Sequence, residues 1–178
     1  VGKKNNAKAF IFEIAKSEMG YTAQPPVEYS AVILGAAIKE KYSGPVFIQG
    51  DHFQANLKKY QENPEKELGA LQALITEAVG AGFYNIDIDS STLVDLSKPK
   101  VSDQQYANYE VCAKLTQFIR RIEPKGITVS VGGEIGEVGH QNSTPEDLRA
   151  FMTGFKQRLR KGLVGISKIS IQTGTSHG

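Results

Sequence analysis

Acidic and imidazole side chains follow several apolar segments of the chain, at the point where each segment ends. Asp51 and His52 come directly after one apolar run. Asp89 ends the next run, and Glu134 follows a third. An imidazole can bind a metal ion while a neighbouring carboxylate takes or gives a proton. These residues therefore predict a metal site with an acid or base beside it.

Two glycine-rich segments extend this pattern. Glu134 lies within VGGEIG at 131–136, where the glycines let the backbone bend and leave room for a ligand. His177 lies within QTGTSHG at 172–178, whose small residues leave backbone N–H groups open to an anion such as phosphate. Each motif taken alone also fits an ordinary turn with a solvated side chain, so the chemical interpretation depends on all of them together.

The elements that must position these residues alternate regularly from about Tyr29 onward. Apolar residues at helical spacing predict helices over about 29–41, 68–79, 109–122 and 144–159. Short apolar or β-branched runs predict four strands, at 46–48, 84–89, 127–131 and 166–171. Before Tyr29 the pattern is hard to assign: Phe10, Ile11 and Ile14 suggest a short helix, so residues 1–28 are left as an N-terminal segment.

Strands that alternate with helices indicate a parallel sheet, either in a closed β/α barrel or in a doubly wound sheet. A barrel gathers its site from the ends of several strands, whereas an open sheet concentrates its ligand contacts at one switch point. The spread of reactive residues over several strand ends favours the barrel. We therefore expect one partial domain over 1–178, with about four central strands of an α/β (β/α)8 TIM barrel.

Composition narrows the classes of partner. The net charge is +2 and the basic residues are interspersed with acidic ones, so no nucleic-acid or acidic-membrane surface stands out. No apolar run reaches the roughly 20 residues that a membrane span needs, and residues 1–6 lack the layout of a signal peptide. The single cysteine, Cys112, favours a reducing, cytoplasmic location. A small-molecule partner is expected.

Four motifs together resemble the class II, zinc-dependent fructose-bisphosphate and tagatose-bisphosphate aldolases. They are GDH at 50–52, GF at 82–83 leading to IDSS at 88–91, EIG at 134–136 with Gly139, and GTSHG at 174–178. The order of the motifs is also that of the family, which makes the joint match more specific than any part. The resemblance covers residues 46–178.

The resemblance implies roles for individual residues. His52 and His177 would be zinc ligands, and Asp51 would be the catalytic acid or base. Asp89 and Glu134 would support the metal, in some members through an additional monovalent or second divalent cation. Gly178 would help to hold a substrate phosphate.

The resemblance also implies a reaction. Zn²⁺ would polarise the carbonyl of a ketose bisphosphate and stabilise the enediolate formed on carbon–carbon cleavage. Fructose 1,6-bisphosphate would give dihydroxyacetone phosphate and glyceraldehyde 3-phosphate, in a carbohydrate pathway such as glycolysis. Enzymes of this type are commonly homo-oligomers.

Two departures from the family leave alternatives open. The third histidine ligand and the later phosphate-binding strand of the family have no counterpart within the chain. The segment 53–64 is longer than the corresponding step in the family, which leaves the ketose phosphate undetermined. The chain also resembles the noncatalytic accessory subunit of tagatose-bisphosphate aldolase. A metal-free phosphate-binding barrel is a third alternative, but it leaves Asp51 and His52 without a role.

Overall fold

The computed structural model describes residues 2–135 and 142–173 of the chain. These residues contain one sheet of five parallel strands in the order β1-β2-β3-β4-β5. The strands are β1 Phe10–Ala15, β2 Val46–Asp51, β3 Asn85–Ile88, β4 Ser130–Glu134 and β5 Lys168–Ser170. The helices are α1 Lys16–Thr22, α2 Pro26–Lys39, α3 Leu57–Glu62, α4 Pro64–Gly80, α5 Val101–Gln104, α6 Tyr106–Ile122 and α7 Pro145–Arg158, and Lys3–Asn5 and Ser91–Leu93 form 3₁₀ turns.

The strand order confirms an α/β fold with parallel strands. Each strand lies beside the next one in the sequence, so the reversal that defines a doubly wound sheet is absent from the described residues. The long helices contact one another in the same sequence, α2 with α4, α4 with α6 and α6 with α7. This arrangement is the one expected when right-handed crossovers place successive helices on one face of a sheet.

The first strand corrects one prediction from the sequence. Phe10, Ile11 and Ile14 suggested a short helix, but they belong to β1, which pairs with β2 along all six residues. Phe10 and Phe12 line a cavity beside α2, and Ile14 is buried, whereas Ile11 is 62% exposed. This period-two alternation is that of a strand. The sheet therefore has five strands where the sequence predicted four.

The core lies between the sheet and the helices. Its fully buried members come from the helix-facing side of β3 and β4 and from the inner faces of α4, α6 and α7: Ile86, Ile88, Val131, Leu71, Ile75, Leu115, Ile119 and Phe151. Burying each such side chain contributes about 1.5–3 kcal/mol. The helices therefore hold the strand ends in a fixed arrangement.

The opposite face of the sheet is polar. Gln49 on β2 donates a hydrogen bond of 3.1 Å from Nε2 to Oε2 of Glu13 on β1. Lys168 on β5 reaches across the sheet and donates from Nζ to Oε1 of Gln49 at 2.8 Å. Asp87, on β3, is also polar but is only 7% exposed. This polar face borders the carboxyl ends of the strands, where the acidic residues lie.

Both ends of one predicted strand shift, and this changes the position of a site residue. The third predicted strand, 127–131, actually begins at Ser130 and runs to Glu134, so Glu134 ends a strand instead of lying in a turn.

Thr144 caps α7 as the sequence predicted, because its hydroxyl accepts from the backbone N–H of Asp147 at 3.2 Å. Among the described residues, the helices are too short or too polar to cross a membrane.

Candidate metal site

Three neighbouring strands bring one imidazole and two carboxylates together at their carboxyl ends. His52 follows β2, Asp89 follows β3, and Glu134 is the last residue of β4. The Nδ1 atom of His52 lies 3.5 Å from Oδ2 of Asp89 and 3.7 Å from Oε1 of Glu134. One possible ligand atom from each of these three residues lies within 4.8 Å of those of the other two. The structure thus assembles a compact cluster from residues up to 82 positions apart in the sequence.

The loop after β2 holds His52 in an unusual backbone conformation. Its φ of +43° lies in the left-handed region, which is uncommon for a residue other than glycine. The next residue, Phe53, is fully buried, and its N–H donates to the carbonyl of Asp87 at 2.9 Å, which anchors the loop to β3. A Cβ atom on Gly50 would lie only 2.5 Å from the Phe53 ring, so glycine there makes room for this anchor.

Asp89 is held in its ionised form. Burial raises the pKa of Asp89, but hydrogen bonds from His52, Ser91 and Gln54 outweigh that effect and bring the pKa below its usual value. The hydroxyl of Ser91 donates to Oδ1 at 2.6 Å, and the Gln54 amide donates to Oδ2. One carboxylate oxygen is therefore oriented by Ser91 while the other faces the imidazole.

The pKa of Glu134 shifts in the opposite direction to that of Asp89. Burial, followed by the nearby charge of Asp89 and a hydrogen bond with Asp87, raises the pKa of Glu134 to about 8. Its backbone carbonyl accepts from Nδ2 of Asn108 at 2.8 Å, which fixes the end of β4 against α6. Gly132 leaves space for Asp87, since a Cβ there would lie 2.0 Å from Oδ1 of Asp87. Burial and the nearby carboxylates thus favour the protonated form of this carboxyl group.

The acidic residues around His52 also change the pKa of its imidazole. The hydrogen bond to Asp89, together with the charges of Asp51 and Glu134, outweighs burial and raises the pKa of His52 to about 9. On the other side of the ring, Nε2 lies 3.5 Å from Oδ2 of Asp51. Burial raises the pKa of Asp51 although His52 opposes the change. In the absence of a metal, His52 is therefore an imidazolium ion that partly neutralises its neighbours.

The donor set suits a divalent cation. Zinc binds nitrogen and oxygen donors at about 2.1 Å, which separates the ligand atoms of a tetrahedral ion by roughly 3.4 Å. The His52 nitrogen lies 3.5 and 3.7 Å from the Asp89 and Glu134 oxygens, close to that spacing. Hydrogen bonds to Asp89 from Ser91 and Gln54 provide the outer support that metal ligands usually have. These residues can hold a metal ion, and their chemistry does not by itself select zinc.

A cleft of about 400 Å³ opens beside the cluster. It is lined by Ala15, Lys16, Ser17, His52, Gln54, Asn56 and Lys59. The ammonium of Lys16 donates to the Gln54 carbonyl at 2.7 Å and lies 3.6 Å from Oε1 of Glu67, which keeps it at the wall of the cleft. Lys59 also lines the cleft and is exposed. A ligand in the cleft would meet the ammonium groups of Lys16 and Lys59 and the imidazole of His52.

The structure brings together most of the residues that the sequence singled out. His52, Asp89 and Glu134 form the cluster, and Asp51 lies beside the imidazole. The predicted ligand His177 and the predicted phosphate-binding residue Gly178 lie outside the described residues, as do Gly136 and Gly139.

Sequence reasoning missed three contributors. Asp87 lies two residues before Asp89, a spacing that places both side chains on one face of a strand, and this spacing could have identified it. Lys16 directly follows β1, but the sequence does not place it at the strand ends, because Phe10, Ile11 and Ile14 also fit helical spacing. Gln54 carried no signal in the sequence, since only the path of the loop brings its amide to Asp89.

The fold and the site together define an α/β protein with a candidate metal site at the carboxyl ends of its parallel strands. No protein-family model matches the sequence, and no match was found among curated proteins. Among solved structures, the chain is similar to a probable tagatose 6 phosphate kinase from Sinorhizobium meliloti 1021, with a TM-score of 0.58 and 16% sequence identity. The similarity covers 87% of this chain but only 40% of that protein. At this identity the likeness shows a shared fold.

Proposed function

We propose that the chain provides the metal-binding part of a zinc-dependent ketose-bisphosphate aldolase of the class II type. The convergence of His52, Asp89 and Glu134 at adjacent strand ends, with Asp51 beside the imidazole, carries this proposal. Three of the four motifs that resemble class II aldolases contain one or more of these residues. The described strands would then be a part of a closed β/α barrel, in which such strand ends form the active site.

The residues would have different roles in metal binding and in proton transfer. His52 would hold the metal together with His177, and Asp89 and Glu134 would support it. When bound, the zinc ion would polarise the carbonyl group of the substrate. Asp51 would exchange a proton with the substrate carbon chain, and its raised pKa brings that carboxyl group closer to the range in which an acid or base works best.

The cleft beside the cluster supports a sugar phosphate as substrate. Lys16 and Lys59 offer positive charge on its wall, and Ser17 and Asn56 offer neutral hydrogen-bonding groups. A phosphate bound by these groups would place the carbon chain near His52, which lines the same cleft. The structural neighbour is named for an enzyme of a sugar phosphate, which agrees with this substrate class. Gly178 would contribute to a further phosphate contact.

Metal analysis combined with an activity assay tests the proposal. The complete protein that contains this chain is analysed for bound metal, with and without chelator, and assayed for cleavage of fructose 1,6-bisphosphate and tagatose 1,6-bisphosphate. About one zinc per chain, with activity that disappears on chelation and returns with zinc, is the expected result. His52→Ala should abolish both while the fold remains. Full activity of His52→Ala with zinc still bound would refute the assignment.

A noncatalytic accessory subunit of a tagatose-bisphosphate aldolase is a second candidate, and one observation favours it. In the metal-free protein the imidazolium of His52 pairs with Asp89 and Glu134 keeps a proton, so the cluster can balance much of its charge without a metal. Such a subunit would stay folded, metal-free and inactive, but would raise the activity or stability of a catalytic partner. Adding the metal-free protein to a purified tagatose-bisphosphate aldolase distinguishes the two roles.

A further inference from the structure

A buried polar side chain on α6 joins the ends of β3 and β4 behind the metal cluster. Asn108 is fully buried, as are Ser90 and Gln105 beside it. The hydroxyl of Ser90 donates to Oδ1 of Asn108 at 2.7 Å. Nδ2 of Asn108 donates to the backbone carbonyl of Glu134 at 2.8 Å and to Oε1 of Gln105 at 3.0 Å. The connection from Ser90 through Asn108 to Glu134 is called here the Asn108 bridge.

The bridge lies where the backbone pairing of the two strands stops. The last paired residues of β3 and β4 are Ile88 and Gly133. The next residue on each strand is a carboxylate of the cluster, Asp89 after β3 and Glu134 at the end of β4. Ser90 directly follows Asp89, and the other end of the bridge is the carbonyl of Glu134. The bridge therefore connects the two strand ends at the level of the carboxylates.

The hydrogen bonds fix the orientation of the Asn108 amide. The carbonyl of Glu134 and Oε1 of Gln105 can only accept, so both must meet the NH₂ group. The amide oxygen is then left for the Ser90 hydroxyl, and both amide hydrogens and the oxygen are in use. A rotated or shortened side chain at this position would lose at least one of these contacts. The bridge thus favours one spacing of the strand ends.

The network around the bridge carries a cost in stability. Nε2 of Gln105 is fully buried and has no hydrogen-bond partner among the described residues. A buried donor without a partner destabilises the fold, whereas apolar side chains of similar shape would avoid that cost. A buried polar network can instead make the interior rigid and specify one arrangement of it. Closely spaced metal ligands need such an arrangement.

We propose that Asn108 is a positioning residue of the metal site, which sets the separation of the Asp89 and Glu134 carboxylates through the ends of their strands. It acts on Glu134 through the backbone carbonyl and on Asp89 through the neighbouring Ser90. Nδ1 of His52 lies 3.5 and 3.7 Å from the two carboxylates, so a shift of either strand end would spoil a spacing that suits a cation. The inference rests on the metal site of the proposed function but not on the aldolase reaction.

Metal titration of Asn108→Ala and Ser90→Ala in the complete protein tests this role. Each substitution should weaken Zn²⁺ binding about 10- to 100-fold, the usual effect of removing a group that orients metal ligands. Each should also change the visible absorption spectrum of bound Co²⁺, because that spectrum depends on the coordination geometry. Circular dichroism establishes which variants are folded, and Ser90→Ala, the smaller change, keeps the test valid if Asn108→Ala does not fold.

Thr116→Ala is the matched control. Thr116 is also a fully buried polar residue of α6, but its hydroxyl donates within the helix, to the carbonyl of Cys112 at 2.7 Å. This variant should lose stability while keeping the wild-type Zn²⁺ affinity and Co²⁺ spectrum. If it instead loses affinity as the bridge variants do, the effect is a general loosening of α6 and the proposed role of Asn108 is wrong.

The double variant of Ser90→Ala with Asn108→Ala tests whether the two residues act as one bridge. If they do, its Zn²⁺ affinity should be close to that of Asn108→Ala alone, because the contact between them is already lost. Losses that multiply would show two separate effects and overturn the bridge. Wild-type affinity and spectrum in the folded single variants would overturn it as well, while leaving the metal site intact. Wild-type protein that binds neither Zn²⁺ nor Co²⁺ would refute the metal site, and with it both proposals.

Discussion

Zinc binding to the cluster should release protons, and the structure indicates how many. In the metal-free protein the pKa of His52 is about 9 and that of Glu134 about 8, whereas the pKa of Asp89 is below its usual value. A ligand must lose its proton before it binds a metal. Near pH 7 to 7.5, zinc must therefore displace about two protons from these three residues, one from His52 and one from Glu134, while Asp89 is already ionised.

The size of the pH effect follows from that number. Each displaced proton changes the apparent Kd tenfold per pH unit, so two protons change it about 100-fold per unit, with tighter binding at higher pH. Ordinary pKa values of 6.5 for His52 and 4.5 for Glu134 would predict a different curve. With those values the affinity would become nearly independent of pH above about 7.

Calorimetric titration with chelator-buffered zinc at several pH values between about 6 and 7.5 measures this slope. Repeating each titration in buffers of different ionisation enthalpy counts the released protons directly. Glu134→Gln removes one titrating ligand, so it should weaken binding and reduce the release to about one proton. Glu146→Gln, an exposed site on α7, is the matched control and should leave two. An affinity that is flat above pH 7 in the wild-type protein would refute the electrostatic account of the cluster.

Three further predictions concern the same region. Because His52 and Glu134 both have raised pKa values, the folded metal-free protein binds more protons than the unfolded chain, so its melting temperature should fall as pH rises from about 6 to 8. Calorimetry without metal measures this, and a rise would contradict it. Gly132→Ala forces a Cβ atom against the Asp87 carboxylate. It should therefore lower the free energy of unfolding measured in urea by about 1–3 kcal/mol and weaken zinc binding. Unchanged values would show that the strand adjusts freely to the extra atom. Lys59→Met should raise the KM for a sugar bisphosphate about tenfold with little change in kcat, because Lys59 lines the cleft. Lys58→Met is the control, since Lys58 does not line the cleft, and it should leave the KM unchanged. Equal effects of the two substitutions would show that Lys59 does not bind the substrate.

The sequence predicted the elements whose pattern is unambiguous. The helices now assigned as α4, α6 and α7 carry long apolar stripes, and the predicted strands at 84–89 and 166–171 overlap the observed ones. It failed at β1 because Phe10, Ile11 and Ile14 also satisfy helical spacing, and six residues are too few to separate the two periods. It placed the β4 strand too early because Gly132 and Gly133 have low strand propensity, whereas pairing with both β3 and β5 makes them strand residues.

The three residues of the metal cluster could be predicted from the sequence, whereas their electrostatics could not. Residue types at strand ends identified His52, Asp89 and Glu134, because parallel strands bring their carboxyl ends to one edge. The protonation of Glu134 could not be predicted in this way, since it depends on burial and on contact with Asp87 across the strand pair. The path of the loop through Gln54 is likewise a property of the packed structure.

The cluster is difficult to explain as a device for stability. Asp51, Asp89 and Glu134 all lie within 3.7 Å of one imidazole, whose single positive charge cannot neutralise three carboxylates. The fold tolerates this excess only by leaving a proton on Glu134, and it also holds His52 at a φ of +43°. Apolar side chains at these positions would avoid the charge imbalance, although not the backbone cost at residue 52. A divalent cation would relieve the repulsion and use the imposed geometry of His52, which is the pattern expected when strain and mismatched charge are retained for binding.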